Sequence, residues 1–364
     1  MTNELLLLST VLVSSSLGAT LREGDVFWKG ESSEECVAPG EPVPPPEECL
    51  QISYEVDCSH YAANPEGLDG FPVDVRVYNQ LGTGPTVVLL TGEGGTQWYL
   101  DSFEFAQELR DQLIARPLDA VVVDVKWDRG FGAATGWYGA EPYETAGVHE
   151  TSCRPATLFR YLHDNLGNAE ASFCPTGNSG GAGQVMNSLA MYDGHEYMDV
   201  VVPTSGPEQA GVSEGCLGTG DPEAVYNTLE RERRIDEALG FHVNSGETGP
   251  GPCEMDLASW QKPFARMGTA SARYNFQYET TRVRFLTGET EGPLVLAQVE
   301  ILKAEYLQPG IVTDMTHEVV EGAGHKMADT LEGKEAILTV LGSECLPEAG
   351  PAPSRAPRRA SSSR

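Results

Sequence analysis

The segment Ser172-Phe-Cys-Pro-Thr-Gly-Asn-Ser-Gly-Gly-Ala-Gly183 decides the reading of this chain. Within it, Gly177-Asn178-Ser179-Gly180-Gly181 fits the pattern Gly-x-Ser-x-Gly. That pattern makes a sharp turn from a strand into a helix and lifts the serine hydroxyl out of the fold. The flanking glycines leave room for strand, helix and substrate to approach one another closely. The chain holds 40 glycines, so the pattern gains its weight from what surrounds it.

Upstream, Thr86-Val-Val-Leu-Leu-Thr91 is a short apolar, β-branched run that reads as a buried strand. It leads into Gly92-Glu-Gly-Gly-Thr96, a turn able to aim backbone N–H groups at a developing negative charge. Phe103 to Ile114 has helical spacing, Ala120 to Val125 reads as a second buried strand, and Thr157 to Leu166 as a helix. A strand ending near Pro175 feeds the serine turn, a helix follows from Gly183 to Tyr192, and Met198 to Pro203 is again a strand. Alternation of this kind predicts an α/β fold with a mostly parallel central sheet flanked by helices. Downstream, Arg282 to Thr287 reads as a strand ending in Gly288-Glu-Thr-Glu291. Glu318 to Glu321 reads as a strand ending in Gly322-Ala-Gly-His325.

The order Ser, acid, His, each on a turn after a strand, resembles the α/β-hydrolase superfamily over roughly residues 50 to 345. The resemblance rests on Gly177-Asn-Ser-Gly-Gly181, Gly288-Glu-Thr-Glu291 and Gly322-Ala-Gly-His325. Two positions depart from the common pattern: Thr91-Gly92 stands where many members carry His-Gly, and the acid offered is Glu rather than Asp. The resemblance implies that Ser179 is the nucleophile, His325 the general base and Glu291 the acid that orients it. Glu289 is the alternative acid, and Asp314 a poorer third. It also implies an oxyanion hole made by the N–H of Gly180 and a second N–H, from Glu93 or Gly94.

Of seven histidines, His325 alone follows a Gly-Ala-Gly strand end. No phosphate-binding loop, no complete Gly-x-Gly-x-x-Gly and no Cys-x-x-Cys occurs, and His317-Glu-Val-Val-Glu321 lacks the second histidine of a zinc helix. We therefore expect neither metal nor organic cofactor. Trp98 and Tyr99, close after the oxyanion turn, and Trp127, Trp137 and Tyr138 after the next strand are candidate pocket aromatics. Trp98 is the first choice for substrate binding.

Leu5 to Val13 followed by Leu17-Gly-Ala19 reads as a signal peptide, residues 1–19, although its start lacks Lys and Arg. Eight cysteines without metal spacing suit disulfides in an oxidising, secreted setting. Cys36 with Cys49, and Cys216 with Cys253, are the plausible local staples, and Cys345 could anchor the chain end. The formal net charge of −30 argues against nucleic acid and anionic membranes as partners. No second long apolar run exists, so no membrane span is expected. Residues 20–50, rich in Glu and Pro, read as an extended arm, 51–346 as the catalytic domain and 347–364 as a disordered tail. The stretch of about 206–281 is too long for a simple connection and is expected to form a cap-like insertion. The expected function is hydrolysis of small-molecule or polymeric carboxylic esters. A serine peptidase of the same fold and a non-catalytic binding protein are the alternatives, and the sequence leaves the oligomeric state open.

Overall fold

The computed structural model describes residues 22–33, 36, 45, 48–61, 70–128, 148–166, 170–239, 250–256, 258–271, 274 and 276–346. The expected signal peptide, the tail, Trp137 and Tyr138 lie outside them. In chain order the strands are β1 Asp25–Ser32, β2 Cys49–Asp57, β3 Phe71–Tyr78, β4 Thr86–Leu90, β5 Val121–Trp127, β6 Phe173–Asn178, β7 Val200–Thr204, β8 Tyr278–Gly288 and β9 Thr313–Val320. The helices are α1 Tyr99–Ser102, α2 Ala106–Ile114, α3 Val148–Asn165, α4 Gly180–Met191, α5 Val212–Leu217, α6 Leu229–Ala238, α7 Gln261–Phe264, α8 Pro293–Tyr306 and α9 Leu331–Glu344.

These strands form one sheet in the order β1-β2-β3-β5-β4-β6-β7-β8-β9. The first three pair antiparallel, and β3 also pairs antiparallel with β5. From β5 to β9 every pairing is parallel. Parallel strands covered on both faces need apolar residues at consecutive positions. Accordingly Val88 and Leu90 of β4 point to one core with α3, α4 and α8, while Val87 and Leu89 point to a second with α1, α2 and α9.

Three expectations need correction. The arm at 20–50 is not separate from the domain, because β1 extends the central sheet as its edge strand. Its Val26 packs against the core, a signal masked by the surrounding Glu and Pro. The helix read from Thr157 begins at Val148 and carries Pro155 inside it. Burial of Cys153, Ala156 and Phe159 on its inner face outweighs the lost hydrogen bond. Helix α4 starts at Gly180, three residues before the reading from Gly183, since packing overrides the poor helix propensity of its glycines.

All eight cysteines are paired: Cys36–Cys49, Cys58–Cys153, Cys174–Cys345 and Cys216–Cys253. The two local staples are those expected. Cys174–Cys345 ties β6, the strand that feeds the serine, to the end of α9. No helix among the described residues is long and apolar enough to cross a membrane.

Residues 205–277 lie between β7 and β8 and include α5, α6 and α7. This insertion is anchored to the body. Buried Gln298 of α8 accepts from Gly211 N at 2.7 Å and donates to Ala224 O at 3.0 Å. Asp236 of α6 accepts from Cys253 N and Glu254 N, both at 3.0 Å, next to the Cys216–Cys253 bridge.

Three carboxyls are raised chiefly by burial: Glu23 to about 7, Asp124 to about 7 and Asp236 to about 6. Asp124 is fully buried and accepts from Tyr99 N and Leu100 N, which opens α1. In each case the folded chain holds the proton more tightly than the unfolded one. Stability contributed by these groups is therefore full below about pH 4 and falls as pH rises to about 7. The carboxyls held low, at Glu291, Glu300, Asp314 and Asp119, act in the opposite sense but below that window. The expected result is a higher Tm at pH 5 than at pH 8 by differential scanning calorimetry, and a flatter profile for Asp124→Asn.

Candidate active site

Ser179 sits between β6 and α4 with φ 54° and ψ −112°. A non-glycine residue in that region is strained by about 1–3 kcal/mol, and its surroundings must hold it there. Here Ser179 N donates to Thr204 O at 2.8 Å, and Asn178 Oδ1 accepts from Thr204 Oγ1 at 3.2 Å. The glycines leave no alternative. A Cβ on Gly177 would lie 2.4 Å from the Gly181 carbonyl carbon, and one on Gly181 would lie 2.5 Å from Leu90 O.

The turn after β4 crosses this elbow. A Cβ on Gly92 would stand 3.3 Å from Ser179 Cβ, and one on Gly180 would stand 2.0 Å from Glu93 O and 2.7 Å from Glu93 N. The backbones of Gly180 and Glu93 are thus in contact, at positive φ (50°) for Glu93. Of the two residues expected to supply the second oxyanion donor, this contact favours Glu93 over Gly94. The turn is closed by Gly95 N to Gly92 O at 3.0 Å and fastened by Trp127 N to Gly95 O at 2.9 Å.

Gly288-Glu-Thr-Glu291 and Gly322-Ala-Gly-His325 are laced together by Glu289 N to Val320 O (2.9 Å) and Thr290 N to Ala323 O (3.1 Å). The result sets His325 Nδ1 3.0 Å from Glu291 Oε1 and 3.1 Å from Oε2. A carboxylate only accepts, so Nδ1–H is the donor and Nε2 is the nitrogen left for proton exchange. Two residues further on, Met327 N donates to Asn178 Oδ1 at 3.3 Å, which docks the histidine loop on the serine elbow. Ser179 Oγ and His325 Nε2 are not hydrogen-bonded to each other. Contacts of this kind are commonly long without substrate and tighten when it binds.

Glu291 is buried, and burial works to raise its carboxyl. The hydrogen bond and charge of His325, with a smaller contribution from the Gly292 N–H, outweigh this and hold it below the usual range. In turn the Glu291 hydrogen bond, opposed by burial, lifts the His325 imidazole above its ordinary value. The other two candidate acids are engaged elsewhere. Glu289 accepts from Gly322 N at 3.1 Å, and Asp314 forms a two-point ion pair with Arg284 (2.9 and 2.7 Å).

The aromatics take other places. Trp98 lies with its ring against the guanidinium of Arg76, 4.2 Å away, and the ammonium of Lys126, 5.0 Å away. It lines a surface pocket of about 360 Å³ with Thr96, Gln97, Asp101, Ser102 and Lys126, a set that includes none of Ser179, Glu291 and His325. Trp127 is fully buried and donates Nε1–H to Gln184 Oε1 at 2.8 Å. Tyr99 is likewise a core residue.

The sequence reading missed Asn178 as a support and Arg234 of α6 as a neighbour of the turn after β4. Arg234 Nη1 lies 3.3 Å from Glu93 Oε1, so α6 reaches the turn after β4. Only Asn178 carried a signal, as the variable position inside Gly-x-Ser-x-Gly.

No protein-family model matches the chain, and no curated protein matches it. Among solved structures it is similar to the esterase LipA from Xanthomonas oryzae, at 12% identity and TM-score 0.46, over 89% of this chain and 98% of that one. It is similar to Est1E from Butyrivibrio proteoclasticus at 12% identity and TM-score 0.44, over 76% and 96%. A puromycin-hydrolyzing peptidase from Mycobacterium tuberculosis is similar at 15% identity and TM-score 0.47, over 78% of this chain and 39% of that one. These likenesses are distant, and the fold is described by the sheet itself: a mostly parallel sheet flanked by helices, with a strand–serine–helix elbow followed in chain order by the acid and histidine loops, the arrangement that the sequence resemblance implied.

Proposed function

We propose that the chain is a serine hydrolase that cleaves carboxylic esters through an acyl-enzyme, with Ser179 as nucleophile, His325 as general base and acid, and Glu291 as its orienting carboxylate. The observation that carries this reading is the two-oxygen contact of buried Glu291 with His325 Nδ1, on a loop docked to the Ser179 elbow. Ser179 Oγ attacks the acyl carbon while Nε2 of His325 takes its proton. The carbonyl π pair moves to oxygen, and the N–H groups of Gly180 and Glu93 receive that charge. Collapse breaks the bond to the alcohol, which leaves with the proton returned by His325. Water then repeats the sequence on the acyl-enzyme and releases the acid.

Four disulfides support a secreted protein, since such bonds persist in oxidising compartments. The preference for esters over amides comes from the superfamily resemblance, in keeping with the esterase LipA among the similar structures.

The test is labelling with a fluorophosphonate, followed by peptide mass mapping, alongside turnover of p-nitrophenyl esters and aminoacyl amides. Label on Ser179 with ester turnover is the expected result. Amide turnover alone would move the assignment to a peptidase, and a folded protein with neither label nor turnover would leave the binding-protein alternative. The base must be neutral to act, so the acid limb of kcat/KM should lie above the ordinary imidazole range. In Glu291→Gln that limb should move to lower pH, because the partner that lifts His325 has lost its charge.

A further inference from the structure

We propose that the buried pair Trp127 and Gln184 is a clamp that positions the turn after β4, and with it the Glu93 N–H, for the charge of the transition state; this rests on the serine-hydrolase reading above. Both side chains are fully buried, so they are positioning residues that act through the turn. The turn spans Gly92 to Gly95 and has positive φ at Glu93 (50°) and Gly95 (70°). A non-glycine residue at positive φ is held there by its surroundings. On one side the turn meets the serine elbow, through the contact of Glu93 with Gly180. On the other, Gly95 O accepts from Trp127 N at 2.9 Å, at the end of β5. The Trp127 indole then crosses to α4 and donates to Gln184 Oε1 at 2.8 Å. An indole N–H only donates, so the atom facing it is the amide oxygen, and Nε2 is turned to Gly95. A Cβ on Gly95 would lie 2.9 Å from that nitrogen and 2.9 Å from Trp127 Cδ1. Gln184 comes four residues after Gly180, on the same helix face. One face of α4 thus receives both ends of the turn, Glu93 at Gly180 and Gly95 at Gln184.

Every residue of α4 from Gly181 to Met191 is buried. In such a place an apolar pair of the same shape serves stability as well as a hydrogen-bonded pair. Gln184 Nε2 moreover has no hydrogen-bond partner among the described residues, a cost that packing alone gives no reason to keep. What the polar pair adds is direction. A short bond between two buried side chains fixes one placement of the turn, whereas apolar contact tolerates several. An oxyanion donor must stand about 2.7–3.1 Å from the oxygen that takes the charge. A turn free to shift therefore loses this interaction in the transition state and leaves substrate binding nearly unchanged.

The experiment compares Gln184→Met, which removes the acceptor at similar length, with Gln184→Glu, which keeps an oxygen for the indole. Burial favours the neutral carboxyl, a near copy of the amide. On p-nitrophenyl acetate, Gln184→Met should lose about 10-fold or more in kcat, with KM changed less than about 2-fold. Gln184→Glu should return to within about 3-fold of wild type. A boronic acid, whose tetrahedral adduct mimics the transition state, should inhibit Gln184→Met more weakly by the same factor as the loss in kcat. Trp127→Phe, which removes the donor, should share the loss and serves if Gln184→Met does not fold. Near-UV circular dichroism shows which variants are folded. An equal loss in Gln184→Met and Gln184→Glu, or an unchanged kcat in folded Gln184→Met, overturns the clamp while ester hydrolysis stands. A wild type without turnover removes the hydrolase reading and this proposal with it. Amide hydrogen exchange over residues 92–97 reads the clamp directly. It should quicken about 10-fold or more in Gln184→Met and stay near wild type in Gln184→Glu. Unchanged exchange overturns the proposal even where the ester is cleaved.

Discussion

Ser179→Ala is expected to lower kcat/KM for a p-nitrophenyl ester by about 10³-fold or more, the scale on which other serine–histidine–acid sets respond. The effect should be confined to the chemical step. Ser179 makes its structural hydrogen bond through its backbone N to Thr204 O, and an alanine keeps that bond. The strained φ of 54° is met by the same backbone contacts whichever of the two side chains is present. The variant should therefore fold, bind a non-hydrolysable analogue with little change, and take no fluorophosphonate. His325→Ala should lose a similar amount, and the double variant little more, because members of such a set act as a unit. Stopped-flow and steady-state rates on purified variants check this. A Ser179→Ala protein that retains more than a tenth of wild-type turnover would remove the serine from the mechanism.

Gly181→Ala is expected to cost about 3 kcal/mol or more of stability, at the high end for overpacking a core. A Cβ there would meet Leu90 O at 2.5 Å and Thr91 O at 2.7 Å, backbone atoms at the end of central strand β4 and just after it that cannot rotate away. Relief requires α4 to move off β4, and that movement drags the Ser179 elbow and separates Gly180 from Glu93. Activity and stability should fall together, with the Tm lower by roughly 5 °C or more. Gly292→Ala serves as the comparison, because nothing lies within 4 Å of the added atom. Its thermal melt should stay within about 0.5 kcal/mol of wild type, the ordinary range for surface changes. Equal melts for the two variants would show that the close packing of α4 on β4 is not a constraint.

These two variants mark where the sequence was readable. Gly-x-Ser-x-Gly is a local requirement: each glycine answers a backbone clash within a few residues or with the adjoining strand. It could be read from spacing because the pattern and its cause lie close together in the chain. The apolar runs of β4 and β5 were readable for the same reason, since a strand covered on both faces has no polar positions to blur it. β1 was not readable, because its place in the sheet is granted by pairing with β2, while its own composition resembles a solvated arm. Trp98 was readable only in part. It lines a pocket, but a surface one that includes none of Ser179, Glu291 and His325, and its ring lies against Arg76 of β3 and Lys126 of β5.

By itself the sequence determined the α/β class, the serine elbow and the order of the three site loops. Each is set by interactions among neighbouring residues or by a periodicity that needs no partner to be seen. Tertiary structure decided which carboxylate meets His325, which turn residue meets Gly180, and which cysteines pair. Glu289 and Glu291 are two residues apart and chemically alike. Only the lacing of the β8 and β9 loops turns one toward the histidine and the other toward Gly322 N, because a side chain's partner is fixed by the direction its backbone gives it and not by its kind.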